Sequence, residues 1–183
     1  MSDNGNQGTL HQPMIANDHT LGPGSARVQL VEYGDYQSSD CALAHRFVTK
    51  VMGRLDPCLR FAFRHFAVTE VHPHSQRAAE AAEAAGSQGK FWQMHEILFA
   101  HQGALSNGHL VEYADAIGLD TARFLREVAA HVHVERIRGQ LKGGLESGVD
   151  RTPTFFANGR QVEHQWCEAG LLRAVEAALA GER

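Results

Sequence analysis

The chain is 183 residues long, which is enough for one domain with a buried core. Its 17 Lys and Arg against 21 Asp and Glu give a net charge of −4 without a long basic run, which argues against nucleic acid as a main partner. Hydrophobic residues make up 43%, and no apolar run approaches the roughly 20 residues of a membrane helix, so the composition also argues against a membrane protein.

The cysteines and histidines indicate whether disulfides or a metal site should be expected. Cys41, Cys58 and Cys167 are an odd number at wide spacing, which fits neither a disulfide framework nor a zinc ligand set. The N-terminus shows no basic segment followed by an apolar stretch, which is the pattern of a secretory signal. We therefore expect a cytoplasmic protein with free thiols, and we expect no metal site from the 12 scattered histidines.

The first part of the chain predicts a tail, a strand and a helix. Residues 1–17 are polar and patternless, which predicts a mobile tail before a domain of residues 18–180. Val28 to Val31 is mostly apolar and β-branched, as a buried strand is. From Ala44 to Met52 apolar residues recur every three or four positions, which predicts a helix that ends near Gly53.

The stretch between that strand and that helix carries the chemistry. Ser38 or Ser39 is placed to cap the helix, and Cys41 falls in its first turn. The unpaired amide groups and positive end of a helix favour a thiolate at such a position. The sequence therefore indicates a redox site at this turn.

The rest of the chain completes an α/β layout. Residues 59–66 alternate as a second strand does, and residues 73–148 show helical spacing only. Residues 154–157 and 160–164 predict two strands around an Asn-Gly pair, the strongest short hairpin signal, and an amphipathic helix closes the chain. The order β-α-β, helical insertion, β-β-α is a thioredoxin-like layout that carries a helical subdomain.

The stretch from Glu32 to Cys41 resembles the active-site segment of the DsbA-like thioredoxin-fold proteins. That family usually carries Cys-x-x-Cys at this turn, whereas this chain has Ser38 and Cys41, a Ser-x-x-Cys. The resemblance covers about residues 18–180 and implies a thioredoxin-like fold and thiol-disulfide oxidoreductase activity on protein thiols or disulfides. Its further motifs are Phe63-Arg64-His65-Phe66, His72-Pro73-His74, Gly89-Lys90-Phe91-Trp92 and Thr152-Pro153-Thr154-Phe155.

The resemblance also implies roles for single residues. Pro153 is expected to be a cis-proline beside the active-site turn, and Thr152, Pro153 and Tyr36 are expected to contact substrate. A trans proline that opens an edge strand is the alternative. Glu32 would be the buried carboxylate that exchanges a proton with the resolving thiol, unless it is an exposed strand residue.

The expected catalytic residues are Cys41, Ser38 and Glu32, but half a motif limits their chemistry. The first cysteine of a dithiol site attacks as a thiolate, whereas the Ser38 hydroxyl cannot form a disulfide and is alternatively a plain helix cap. Cys41 has the place of the resolving thiol, where burial raises the pKa while the helix start lowers it. With the negative charge of Asp40 beside it, we expect Cys41 to be a sluggish, partly shielded thiol.

Three functions fit such a site. The first is monothiol exchange through Cys41 with glutathione or protein thiols. The second is a glutathione-dependent transferase or isomerase in which Ser38 stabilises the glutathione thiolate. The third is a redox-silent module that binds an extended peptide beside Pro153. No cofactor is expected, apart from glutathione as a co-substrate, and the sequence predicts no oligomeric state.

Two cysteines lie outside the turn. In a thioredoxin-like topology the closing helix should begin at the active-site end, so we expect Cys167 there as a capping residue without a redox role. A Cys41–Cys167 disulfide is the less favoured alternative, because it needs Cα atoms within about 7 Å. Cys58 precedes the second strand and is expected to be structural, at the opposite end.

Overall fold

A computed structural model describes residues 8–162 and 167–181 of the chain. Five strands and seven helices occur in this part of the chain. The strands are β1 (His19–Leu21), β2 (Val28–Gly34), β3 (Leu59–His65), β4 (Thr154–Ala157) and β5 (Arg160–Gln161). The helices are α1 (Ser39–Leu55), α2 (Ser75–Gly86), α3 (Phe91–Ala100), α4 (Asn107–Ala116), α5 (Thr121–Ala129), α6 (Val134–Glu146) and α7 (Glu168–Ala180). None of these described helices combines the length and the apolar character that a membrane crossing requires.

The strands form one mixed sheet in the order β1-β3-β2-β4-β5. β2 and β3 are parallel and joined through α1, whereas every other neighbouring pair is antiparallel. The helices α2 to α6 all lie between β3 and β4 in the chain. The predicted order of β-α-β, helical insertion and β-β-α is therefore confirmed. The turn between β2 and α1 follows the carboxyl end of the central strand.

Both faces of the central strands are buried. On one face Leu30 and Phe63 belong to the main core, to which α1, α2, α3 and α7 contribute. On the other face Val31 and Tyr33 pack in a second cluster that includes Leu141 of α6. Strands that are covered on both sides are apolar almost throughout, which is why the sequence marks them so clearly.

Residues 8–17 do not form the mobile tail that the sequence predicts. Leu10 is buried in the second core cluster, and its N–H donates to the carbonyl of Gly159 at 2.8 Å. Thr9 forms an isolated antiparallel bridge with Arg160, beside the edge strand β5. The segment is held largely by backbone bonds, which leave no periodic signal in a polar sequence. Residues 1–7 lie outside the described residues.

A buried arginine fixes the same segment from the other side. Arg64 is 2% exposed, and its guanidinium donates to the carbonyls of Gln12 and Pro13, both at 2.8 Å. It also forms a bidentate pair with the carboxylate of Asp18, at 3.0 and 2.8 Å. The charge of Arg64 is thus satisfied entirely by the chain that precedes β1 and by the hydroxyl of Tyr33.

Replacing Asp18 with asparagine is expected to lower the free energy of unfolding by about 1.5–3 kcal/mol, because the buried Arg64 then lacks its counter-charge. Urea denaturation measures the change, and faster proteolysis between residues 8 and 18 should accompany it. Glu135→Gln is the matched control, since its pair with Arg138 is exposed and worth little. Equal effects of the two substitutions would contradict this account.

The structure contains one strand that the sequence does not predict, since His19–Leu21 form β1 against β3. Two element boundaries also differ from the sequence prediction. Helix α1 runs through Gly53 to Leu55, because the helix continues to pack after a residue that is merely a weak helix former. β5 comprises Arg160–Gln161, and the end of the strand predicted over 160–164 lies outside the described residues.

The position of Cys167 corrects a further prediction. Cys167 is the N-cap of α7, as expected, but Glu168 next to it pairs with Lys50 at 3.0 Å and with Arg54 at 3.3 Å. Those two residues are roughly two and a half and three and a half turns along α1 from Cys41. The start of α7 therefore lies beside the far half of α1 and not at the active-site end. Both cysteines are free thiols.

Candidate active site

The turn that joins β2 to α1 is closed by its own side chains. Ser38 is the N-cap of α1, and its hydroxyl accepts the N–H of Cys41 at 3.3 Å. The carboxylate of Asp35 accepts the N–H of Gln37 at 2.8 Å, as in an Asx-turn, and the carbonyl of Asp35 accepts the N–H of Ser38 at 3.1 Å. The predicted cap at Ser38 is confirmed, and Cys41 lies in the first turn of the helix that Ser38 caps.

Cys41 is completely buried, with 0% of its surface exposed. Burial, followed by the charge of Glu32 when that carboxyl is ionised, raises the pKa of its thiol to about 12. The N–H of Asp35 donates to the sulfur at 3.4 Å, and Thr152 also forms a hydrogen bond with it, but these contacts only partly offset the loss of water. The sequence predicts a partly shielded thiol, whereas the structure shows a fully enclosed one that is protonated at neutral pH.

The reactivity of Cys41 should therefore rise steadily with pH. In a Cys58→Ser/Cys167→Ser background we expect alkylation by iodoacetamide at pH 7 to be roughly 10³-fold slower than for an ordinary thiol. The reason is that the pKa lies near 12 instead of the usual 9. The rate should increase about tenfold per pH unit from pH 7 to 10. A plateau below pH 9 would show that the thiol is far more acidic than its burial implies.

Glu32 points into the protein, as the resemblance implies. It is 1% exposed, and it pairs in the sheet with Phe63 of β3 and Phe155 of β4. Burial raises the pKa of its carboxyl to about 8. Its Oε1 has no hydrogen-bond partner among the described residues, so nothing there stabilises the ionised form through that atom. Glu32 is therefore mostly a neutral acid at pH 7.

The predicted proline lies at a groove beside the turn. The Thr152–Pro153 peptide bond is cis, the isomer that the resemblance implies. A groove of about 160 Å³ opens here, and Asp40 from the first turn of α1 contributes to its wall. The full lining is Asp40, Asp150, Arg151, Thr152, Pro153, Thr154, Phe155, Gln161 and Val162. Cys41 and Thr152 thus meet where the groove and the turn adjoin.

Tyr36 does not lie at the surface, where the expected contact with substrate would place it. Its side chain is 1% exposed, and its hydroxyl forms a hydrogen bond of 3.0 Å with Nδ1 of His95 in α3. Its ring packs against Phe63 and Phe99. Tyr36 is part of the core beneath the turn and offers no surface to a substrate. The sequence could not show this, because a turn tyrosine points outward or inward with equal ease.

Comparison with known proteins identifies the family. A family model described as Thioredoxin matches residues 15–177. The chain belongs to the thioredoxin family. BdbD from Bacillus subtilis, in its oxidised form, superposes with a TM-score of 0.85 at 21% identity, over 96% of this chain and 100% of that chain. A thioredoxin-like oxidoreductase from Silicibacter pomeroyi DSS-3 has a TM-score of 0.81 at 27% identity, over 91% and 94% of the two chains. The DsbA-like thioredoxin fold is thereby confirmed.

Curated relatives of this thioredoxin-family chain are much longer. The Na(+)/H(+) antiporter NhaA 1 of Salinispora arenicola is 43% identical over 166 residues, which are 91% of this chain and 25% of that protein. NhaA 3 of Salinispora tropica is 40% identical over the same shares. The chain spans about a quarter of the length of the curated relatives it matches. The similarity therefore concerns one part of those proteins.

Two further residues of the thioredoxin-family site were missed by sequence reasoning. His72 contacts the buried carboxylate of Asp35, with Nδ1 to Oδ2 at 2.9 Å. Gln102 donates from Nε2 to the carbonyls of Tyr36 and Ser38, at 2.8 and 2.6 Å. The resemblance includes the motif His72-Pro73-His74, but it does not indicate that His72 contacts Asp35. No local signal marks Gln102, since only the fold brings it to a turn 64 residues away.

Proposed function

We propose that this thioredoxin-family domain binds extended protein segments beside Pro153 and exchanges thiols through Cys41 alone, slowly, because Cys41 is buried. The observation that carries the proposal is the position of the Cys41 sulfur. It forms a hydrogen bond with Thr152, the residue that precedes Pro153 in the groove wall. The one sulfur of the turn therefore adjoins the surface that a substrate would occupy.

The groove has the features that an extended segment needs. Within residues 8–162 and 167–181 the amide and carbonyl of Thr152 make no backbone hydrogen bond, and we propose that a bound strand pairs with both. Val162 contributes apolar surface, while Asp40 and Arg151 contribute charge. Such a surface supports main-chain pairing together with side-chain selection.

Exchange requires the thiolate of Cys41. The thiolate attacks one sulfur of a substrate disulfide, a mixed disulfide forms, and the other substrate sulfur leaves as a thiolate. A second thiol, from glutathione or a protein, then attacks the mixed disulfide and releases Cys41. In its ionised form Glu32 is the buried base that we propose takes the Cys41 proton. The small thiolate fraction sets the slow rate.

A cysteine peptide activated as its thionitrobenzoate disulfide tests this function in the Cys58→Ser/Cys167→Ser background. We expect one peptide adduct per chain, on Cys41, and none after Cys41→Ser. Gln161→Arg, which adds bulk to the groove lining at a residue that makes no hydrogen bond with Cys41, should slow the peptide reaction but not the reaction with a small methanethiosulfonate. Peptide reactivity that ignores the groove substitution would contradict the proposed binding surface.

Glutathione chemistry through Ser38 is the second candidate. The Ser38 hydroxyl accepts the N–H of Cys41 and also interacts with the Cys41 thiol, and we propose that its O–H donates to a glutathione thiolate when one binds. Glutathione binding measured by calorimetry should then survive Cys41→Ala and fail with Ser38→Ala. Peptide binding without any adduct would instead indicate a redox-silent module. The cytoplasmic location and glutathione as co-substrate stay predictions.

A further inference from the structure

An amide side chain of the helical subdomain binds the backbone of the turn over Cys41. Gln102 follows α3 and is half-buried, and its Nε2 donates to the carbonyl of Tyr36 at 2.8 Å. The same nitrogen donates to the carbonyl of Ser38 at 2.6 Å. A primary amide has two N–H donors, so each carbonyl can receive its own. One side chain therefore holds both ends of the last part of the turn.

That part of the turn is the cover over the sulfur. The Cys41 sulfur accepts the N–H of Asp35, and the N–H of Cys41 donates to the hydroxyl of Ser38. An outward movement of the carbonyls at 36 and 38 would carry these two contacts with it. Other ties of the turn to the subdomain run from Asp35 to His72, from the Gln37 side chain to the N–H of His74 and from the Tyr36 hydroxyl to His95, at 2.9, 2.7 and 3.0 Å. Each of these uses a side chain of the turn, whereas Gln102 binds its backbone carbonyls.

We infer that Gln102 is a positioning residue that keeps the turn closed over Cys41 and thereby sets how often this thiol meets a substrate. The inference deepens the proposed function and rests on it in one respect, namely that Cys41 is the exchanging group. The hydrogen bonds of Gln102 go to the two carbonyls and not to the sulfur, and Gln102 does not line the groove. It acts through the backbone of the turn.

The donors of Gln102, and not its bulk, should account for the effect. Gln102→Glu keeps the shape, removes both donors and places a negative charge against two carbonyl oxygens. Gln102→Lys changes the group but restores donors. The protein already uses a lysine in this way, since Nζ of Lys90 donates to the carbonyls of Ile117 and Gly118 at 2.6 and 2.9 Å. The two substitutions therefore have opposite expected outcomes.

The test measures Cys41 reactivity and amide exchange in the Cys58→Ser/Cys167→Ser background, without peptide or glutathione. With methyl methanethiosulfonate we expect Gln102→Glu to react about tenfold faster or more, and Gln102→Lys to stay within about threefold of the unchanged residue. Hydrogen exchange at the amides of Ser38 and Cys41 should accelerate in the Glu variant alone. If that variant fails to fold, Gln102→Met, also without donors, is expected to give the same result.

Gln88→Glu is the matched control, because Gln88 also makes two amide hydrogen bonds inside the helical subdomain, both to the backbone of Asp120. It should leave Cys41 reactivity unchanged. Equal acceleration in both variants would mean general loosening and would overturn the inference, as would unchanged reactivity in Gln102→Glu. The proposed function fails separately, when no peptide adduct forms on Cys41.

Discussion

Replacing Ser38 with cysteine is expected to make the chain a dithiol oxidoreductase, with peptide oxidation or insulin reduction about 10²-fold or more above the unmodified chain. The Ser38 side chain already makes a hydrogen bond with the Cys41 thiol, so we expect a sulfur in its place to reach the Cys41 sulfur. The new thiol would also cap α1, where the helix start favours a thiolate. Turnover assays, with mass spectrometry of the 38–41 disulfide, measure the result.

Ser39→Cys is the control for the Ser38 substitution, because residue 39 begins α1 but is exposed, whereas Ser38 is buried beside Cys41. It should give no turnover, and Cys41→Ser combined with Ser38→Cys should abolish turnover. A folded Ser38→Cys chain that neither forms the disulfide nor turns over would show that the rest of the site has lost its competence.

Replacing Glu32 with glutamine is expected to raise the free energy of unfolding by about 2–5 kcal/mol at pH 9. Burial raises the pKa of Glu32 from 4.5 to about 8, so the folded state binds a proton that the unfolded state has released. The stability that this proton contributes is complete below pH 4.5 and is lost as pH rises through 8. Urea denaturation from pH 5 to 9 should show a decline with pH that the variant lacks.

Glu83→Gln is an informative counterpart, since Glu83 is also buried but contacts Arg136 and two histidine rings. Burial alone would raise the pKa of Glu83, but hydrogen bonds from His19 and His65 hold it well below its usual value. The sign is therefore opposite, and Glu83→Gln should destabilise the protein at neutral pH. If both variants stabilised the protein at pH 9, buried charge at Glu32 would not be the cause.

The fold was predictable because apolar residues are spaced differently along its central strands and along its helices. The apolar runs of β2 and β3 and the helical spacing of residues 73–148 correspond to elements that the structure contains. The segment of residues 8–17 was not predictable in the same way. It is held by Arg64 and by backbone bonds, and such contacts join residues about 50 apart without any local pattern.

The sequence predicts which residues form the site better than it predicts how they are arranged. Ser38 as a cap, an inward Glu32 and the cis bond before Pro153 agree with the resemblance and with strand alternation. The complete burial of Cys41 was not predictable, because it depends on a turn fastened by Gln102 from another part of the fold. The predicted contact of Tyr36 with substrate is wrong for the same reason, because its hydroxyl forms a hydrogen bond with His95, which only the fold brings close.

The most direct test of the central claim is stopped-flow oxidation of a reduced dithiol peptide by the unmodified chain, after incubation with oxidised glutathione. The claim is that this redox scaffold carries a single, enclosed sulfur at its site. It predicts at most one mixed disulfide at the site, on Cys41, formed slowly and faster at high pH, with no rapid two-electron transfer to the peptide. Rapid and complete oxidation of the peptide by the unmodified chain would contradict it.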